Sequence, residues 1–208
     1  MDVVDILKTA SYYCGIETEL KDLFDYFKGN ISRYDPSTGD IFVNTSELLV
    51  TIDPQTTKLF NKLNEAFNVT LRSICTDKFV LKKEKEIEFV TNQYAVYALS
   101  DMIKIYYILR DGKKISFKIT SDGILEIDKP GKVTLVYSYF PPKKTPTDSV
   151  DFLFGKVTEI VLALGTASEY LYMIGSFDEA DVIRKRYLEE TDKIGNRRKV
   201  MPVKRWLK

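Results

Sequence analysis

The chain has 208 residues, 44% hydrophobic and 29% charged, a balance that suits one domain or one domain with an insertion and argues against wholesale disorder. Histidine is absent, which removes the commonest general base, the commonest metal ligand and every Ser-His or Cys-His nucleophile arrangement. The formal net charge is +1, but no acid follows Asp192; the seven cations Lys193, Arg197, Arg198, Lys199, Lys204, Arg205 and Lys208 leave residues 1–192 at a formal −6.

The first residues, Met1-Asp2-Val3-Val4-Asp5, lack the basic flank and apolar core of a signal peptide, so a cytoplasmic product is expected. Val3, Ile6, Leu7, Ala10, Tyr13 and Cys14 fall at helical spacing, with Gly15 as the break. Ile16, Leu20, Leu23, Phe24 and Phe27 share one face of a second helix, with Gly29-Asn30 as its stop. Residues 30–52 carry no firm assignment. Asp35 to Asp40 is turn chemistry, and Ile41-Phe42-Val43 and Leu48-Leu49-Val50 suit either short strands or anchors of an excursion. Asp53-Pro54 is a helix start, an N-cap acid followed by proline at the first helical position. Leu59, Phe60, Leu63, Phe67, Leu71 and Ile74 then repeat at three or four residues, to an end near Asp77. Cys14 and Cys75 lie in different predicted helices and make neither a disulfide framework nor a zinc site; buried free thiols are expected.

From Ile87 to Phe140 the period changes and Ile, Val, Tyr and Phe dominate. Strands are expected near 85–90, 93–99, 103–109, 114–119, 124–127 and 132–140, with hairpin turns at Asp111-Gly112 and Asp122-Gly123. Pro141-Pro142 ends the sheet. A helix from about 150 to 174, capped by Asp148 or Ser149, follows a polar linker. No apolar run approaches the roughly 20 residues that span a bilayer. Ser176-Phe177-Asp178-Glu179 fits a capping box opening a last helix that ends at Gly195-Asn196. The expected fold class is α+β: a helical bundle formed by N- and C-terminal helices, with an inserted antiparallel β-sheet region. The expected division is 1–80 helical, 81–142 sheet, 148–195 helical hairpin and 196–208 basic extended tail.

The chemistry-bearing features have plain readings. Asp101, Asp111, Asp122 and Asp128 occupy turn positions, and no metal or cofactor is expected. Tyr94, Tyr97, Tyr106, Tyr107, Tyr137 and Tyr139 suit sheet packing, and Lys82 to Glu86 suits an exposed strand edge or loop. The small residues Ala163, Gly165, Ala167 and Ser168 before Gly175 suit a tight helical hairpin. The tail is the most polarised feature. Val200, Met201, Val203, Trp206 and Leu207 are unusual in a purely solubilising segment, and Trp and Arg dominate interface hot spots. Arg197, Arg198, Lys199, Met201, Lys204, Arg205, Trp206 and Leu207 are therefore the candidate interface, in a peptide that orders on a protein partner. No catalytic residue is assigned, and the chain is expected not to be an enzyme.

Three stretches resemble the head–tail adaptor family of tailed bacteriophages, also called tail tubular protein A or gatekeeper-ring proteins. They are Tyr97 to Ile105, with Ser100 where proline is common in the family; Gly131 to Pro142, a strand ending in Tyr137-Ser138-Tyr139 and two prolines; and Leu162 to Tyr187, with its Ala-Leu-Gly-x-Ala-x-Glu-Tyr and Gly-x-Phe-x-Glu-Ala runs. Lys204-Arg205-Trp206-Leu207 is similar to the basic-Trp ending of some members, and ring proteins of crAss-like phages are similar too. The resemblance implies a structural virion protein, made in the host cytoplasm and assembled with itself as a closed ring, commonly dodecameric, around the DNA channel. In what the resemblance implies, portal protein lies on one side and tail or nozzle proteins on the other, and the candidate interface of the basic tail docks on the portal or a neighbouring subunit. DNA passes without sequence readout and no membrane is involved. The competing readings are a tetratricopeptide-like assembly helper or peptide-binding adaptor, an enzyme with carboxylate chemistry, and a basic-tailed nucleic-acid module.

Overall fold

A computed structural model of the chain describes residues 1–27, 33–44, 47–96, 99–151 and 157–196. The fold is α+β, with α-helices and antiparallel sheets. It divides into two compact units: the described residues of Met1–Leu71 and Lys143–Lys208, and those of Arg72–Pro142.

In the first unit, α1 (Val3–Tyr13) buries Val3, Ile6, Leu7 and Ala10 along one stripe. α2 (Glu17–Phe27) buries Leu20, Leu23, Phe24 and Phe27; the stop predicted at Gly29-Asn30 lies outside the described residues. α3 (Pro54–Asp77), of which the residues to Leu71 belong to this unit, opens as the sequence predicts. Asp53 Oδ1 accepts from the amides of Gln55 at 2.9 Å and Thr56 at 3.0 Å, satisfying two donors that have no partner within the helix. The Phe24 and Phe27 rings meet Phe60 of α3 at 6.0 and 5.3 Å.

The unassigned segment between α2 and α3 holds a three-stranded antiparallel sheet, β1 (Arg33–Asp35), β2 (Asp40–Asn44) and β3 (Glu47–Thr51), in that order. Its first turn is tied by Asp35 Oδ1, which accepts from the Ser37 amide at 2.9 Å and the Ser37 hydroxyl at 2.6 Å. A second tie crosses from β3, where the Thr51 hydroxyl donates to Asp40 Oδ1 at 2.6 Å. Of the two readings open for residues 41–43 and 48–50, strands are the one observed.

The chain returns to this unit at Lys143 and forms α4 (Glu159–Ile174) and α5 (Phe177–Asn196). The helix expected from residue 150 thus begins at Glu159 instead. The residues expected to cap it are engaged elsewhere. Asp148 Oδ2 accepts from the Thr145 amide at 2.6 Å and hydroxyl at 2.9 Å. Ser149 bridges Asp2, the Val3 amide donates to the Asp148 carbonyl at 3.0 Å, and the Val150 amide donates to the Met1 carbonyl at 3.0 Å. Pairing with the first residues of the chain leaves this stretch extended.

The second unit is a pair of sheets around one core. β4 (Lys82–Phe89), β10 (Gly131–Tyr139), β6 (Met102–Arg110) and β7 (Lys113–Ile115) form one sheet in that order; β5 (Gln93–Ala95), β9 (Ile124–Ile127) and β8 (Phe117–Ile119) form the other. The strand predicted over 114–119 is two strands, and the chain changes sheet at Ser116. Asp111 and Gly112, both with positive φ (50° and 75°), close the β6–β7 hairpin, as an Asp-Gly pair in a two-residue turn should. Ile87, Phe89, Ile108, Val133, Leu135 and Tyr137 of one sheet bury against Leu125 and Ile127 of the other. Each such side chain contributes roughly 1.5–3 kcal/mol relative to exposure.

Candidate functional site

The interface predicted in the tail, Arg197, Arg198, Lys199, Met201, Lys204, Arg205, Trp206 and Leu207, lies outside the described residues, as do Tyr97 and Ala98 of the first resembling stretch. The described surface nearest to it in sequence is the α4–α5 hairpin, which the small residues of α4 make possible. A Cβ on Gly165 would stand 2.5 Å from Thr70 Cγ2 and 2.9 Å from Tyr187 Cε2. The missing side chain lets α3, α4 and α5 meet there. Ser168 donates to the Ala180 carbonyl at 3.5 Å a few residues further along the seam.

The turn is closed by main-chain bonds. Gly175 (φ 88°) is the left-handed cap of α4, and the Ser176 amide donates to the Leu171 carbonyl at 3.0 Å. Beyond it the α5 stripe Ala180, Ile183, Tyr187 and Thr191 is buried, at three- and four-residue spacing. Phe177, Val182 and Leu188 lie off that stripe and stay outside, 62%, 57% and 48% exposed.

A polar and aromatic cluster fixes the tip. The Tyr172 hydroxyl donates to Asp181 and its ring sits 6.3 Å from that of Phe177. Arg184 pairs with Glu169 at 3.0 Å and lies 5.9 Å from the Tyr172 ring. The Asp181 bond raises the Tyr172 hydroxyl above the ordinary tyrosine range. Met173, Ile174 and Phe177 are thereby held exposed at a tip whose first α5 turn carries Asp178 and Glu179. Exposed apolar groups gathered on an ordered element mark a protein-contact surface more often than a catalytic one. Periodicity could have found Phe177, because it falls off the 180–183–187–191 stripe of α5, as Val182 and Leu188 do.

Below the tip, Cys14 Sγ lies 3.8 Å from the Ala167 carbonyl. Burial first, and then Glu179 nearby, push its thiol up to about 12. It is a protonated packing group, not a nucleophile.

In the second unit the tyrosines divide. Tyr137 is in the core and Tyr94 and Tyr139 pack against it. Tyr106 and Tyr107 are turned out and covered by cations: Lys82 lies 3.9 Å over Tyr106, and Lys114 4.5 Å over Tyr107. Rings covered in this way are no bare stacking platform. Lys82 to Glu86 forms part of β4, an edge strand whose charges suit an unpaired edge. Asp101 takes a hydrogen bond from Lys83, which raises the ammonium above its ordinary value. Among the described residues no group of three or more His, Cys, Asp or Glu side chains is placed to hold a metal ion. A concavity of about 390 Å³ is lined by Asn92, Phe117, Lys118, Glu126 and Asp128, and Glu126 is already engaged by Gln93 Nε2 at 2.9 Å. Among the described residues no helix is long and apolar enough to cross a membrane.

No protein-family model matches this chain, and no curated protein matches it.

Proposed function

We propose that this chain is a structural protein of a tailed-phage head–tail connector, assembling as a ring between portal and tail around the DNA channel. The observation that carries this reading is the combination, in one chain, of an ordered hairpin that keeps Met173, Ile174 and Phe177 exposed at its tip with a C-terminal segment rich in Arg, Lys and Trp. These are the two halves of a protein interface, an apolar receptor surface and hot-spot anchors. The order of elements supports it further. Helices from both ends of the chain, with the small sheet β1–β3, make one unit, and strands β4 to β10 make another. In this reading the helices form the ring wall and the β unit meets the adjoining rings. A formal −6 over residues 1–192 suits a channel that DNA passes without being held, because phosphate affinity rests on cations. The chain performs no catalysis in this role, and its place is the virion.

The test is the mass by light scattering of the chain alone and with its cognate portal protein. The reading predicts a portal-bound assembly of defined copy number. A monomer indifferent to portal, binding extended peptides instead, would replace it with the peptide-binding helper.

A further inference from the structure

We propose that residues 197–208 of one copy dock on the α4–α5 tip of the next copy, so that the chains join head to tail. The proposal rests on the ring reading and names the surface on the neighbour that receives the tail. At the tip, Phe177, Ile174 and Met173 are 62%, 43% and 38% exposed, on a turn held by its own main-chain bonds and by the Tyr172–Asp181 hydrogen bond. Asp178 and Glu179 stand exposed beside them in the first turn of α5. The C-terminal segment is the chemical complement. It sets Met201, Trp206 and Leu207 among Arg197, Arg198, Lys199, Lys204, Arg205 and Lys208, with no acid. Aromatic and aliphatic anchors on exposed apolar ground, ringed by opposite charge, are the composition of an interface core and rim.

Reach weighs against docking on the same chain. α5 runs 20 residues from Phe177 to Asn196, which is about 30 Å of helix at about 1.5 Å per residue. The ten residues from Arg197 to Trp206 span at most about 35 Å when fully extended. A tail returning to its own tip would have to lie straight along α5 with almost no slack. Tail and tip are different surfaces, so the contact is heterologous: it closes into a ring where the rotation between copies allows, and otherwise runs on as a filament.

Two full-length variants test this. One alters the tip (F177S with D178K) and the other the tail (R205E with W206S). Phe177 is exposed and Asp178 lies on the surface, so the tip variant keeps its fold, which circular dichroism checks. Sedimentation should show concentration-dependent association of the wild type, weakened about tenfold or more in each variant alone. An equimolar mixture should form a heterodimer and nothing larger, because it retains one intact tail and one intact tip. Variants that associate like the wild type, or a mixture that forms no heterodimer, would overturn the proposal. Wild-type rings indifferent to both variants would leave the ring reading standing and remove this contact. A heterodimer from the mixture with open filaments from the wild type would do the reverse.

Discussion

Asn68 holds the main chain of Lys144 by both ends of its amide: Nδ2 donates to the Lys144 carbonyl at 2.9 Å, and the Lys144 amide donates to Oδ1 at 2.7 Å. Asn68 is 8% exposed, so the side chain acts in place of a strand partner where the chain re-enters the helical unit. Replacing Asn68 with Ala leaves both Lys144 groups without that partner. The expected loss is about 2–3 kcal/mol in urea unfolding. Asn68→Asp should recover little, because it keeps the acceptor but turns a carboxylate toward a carbonyl. A loss within experimental error for either variant would remove this anchor from the account.

Gly165→Ala sets two effects against each other. Alanine favours a helix interior by about 1 kcal/mol over glycine. Here its Cβ would meet Thr70 Cγ2 at 2.5 Å and Tyr187 Cε2 at 2.9 Å, and overpacking of this kind costs about 1–3 kcal/mol. The clash should win, giving a net loss. Adding Thr70→Ser deletes the nearest methyl and should recover part of it. A stabilised Gly165→Ala single variant would show that the seam is looser than described.

Asp53→Ala removes the acceptor for two α3 amides, and about 1 kcal/mol of stability should go with it. Asp53→Asn should retain most of that. Equal losses from both would assign the effect to charge and not to capping.

Alkaline pH should destabilise the fold through Cys14. Its folded-state value of about 12 lies above the ordinary 9.0, so the folded protein holds that proton more tightly than the unfolded chain does. The resulting stability is complete below about pH 9 and is lost as pH rises toward 12. Unfolding free energies across that window should fall less steeply in Cys14→Ala. The native thiol should also resist alkylation at pH 8 until the protein unfolds. Rapid native-state modification of Cys14 would contradict this.

Features carried by neighbouring residues were legible in the sequence, and features set by distant ones were not. Asp53-Pro54 and Asp111-Gly112 contain their own chemistry, a cap and a positive-φ turn, and both formed where expected. Asp148 and Ser149 have the same local capping character, but the segment from Asp2 to Val3 pairs with them and moves the start of α4 to Glu159. The change of sheet at Ser116 is likewise a matter of partners: Ile115 pairs with Ile108 of β6, and Phe117 with Ile127 of β9. The candidate surface was half legible. The hairpin could be read from its small residues and Phe177 from its place off the α5 stripe, but the Tyr172–Asp181 and Glu169–Arg184 pairs that fix the tip join two helices and are spelled by neither alone.

Assembly on a portal is tested most directly by electron microscopy of the chain mixed with its cognate portal protein. Averaged images should show a closed ring of this chain stacked coaxially on the portal with an open central channel. Portal particles that carry no added ring, at concentrations where the chain is folded and in excess, would contradict it.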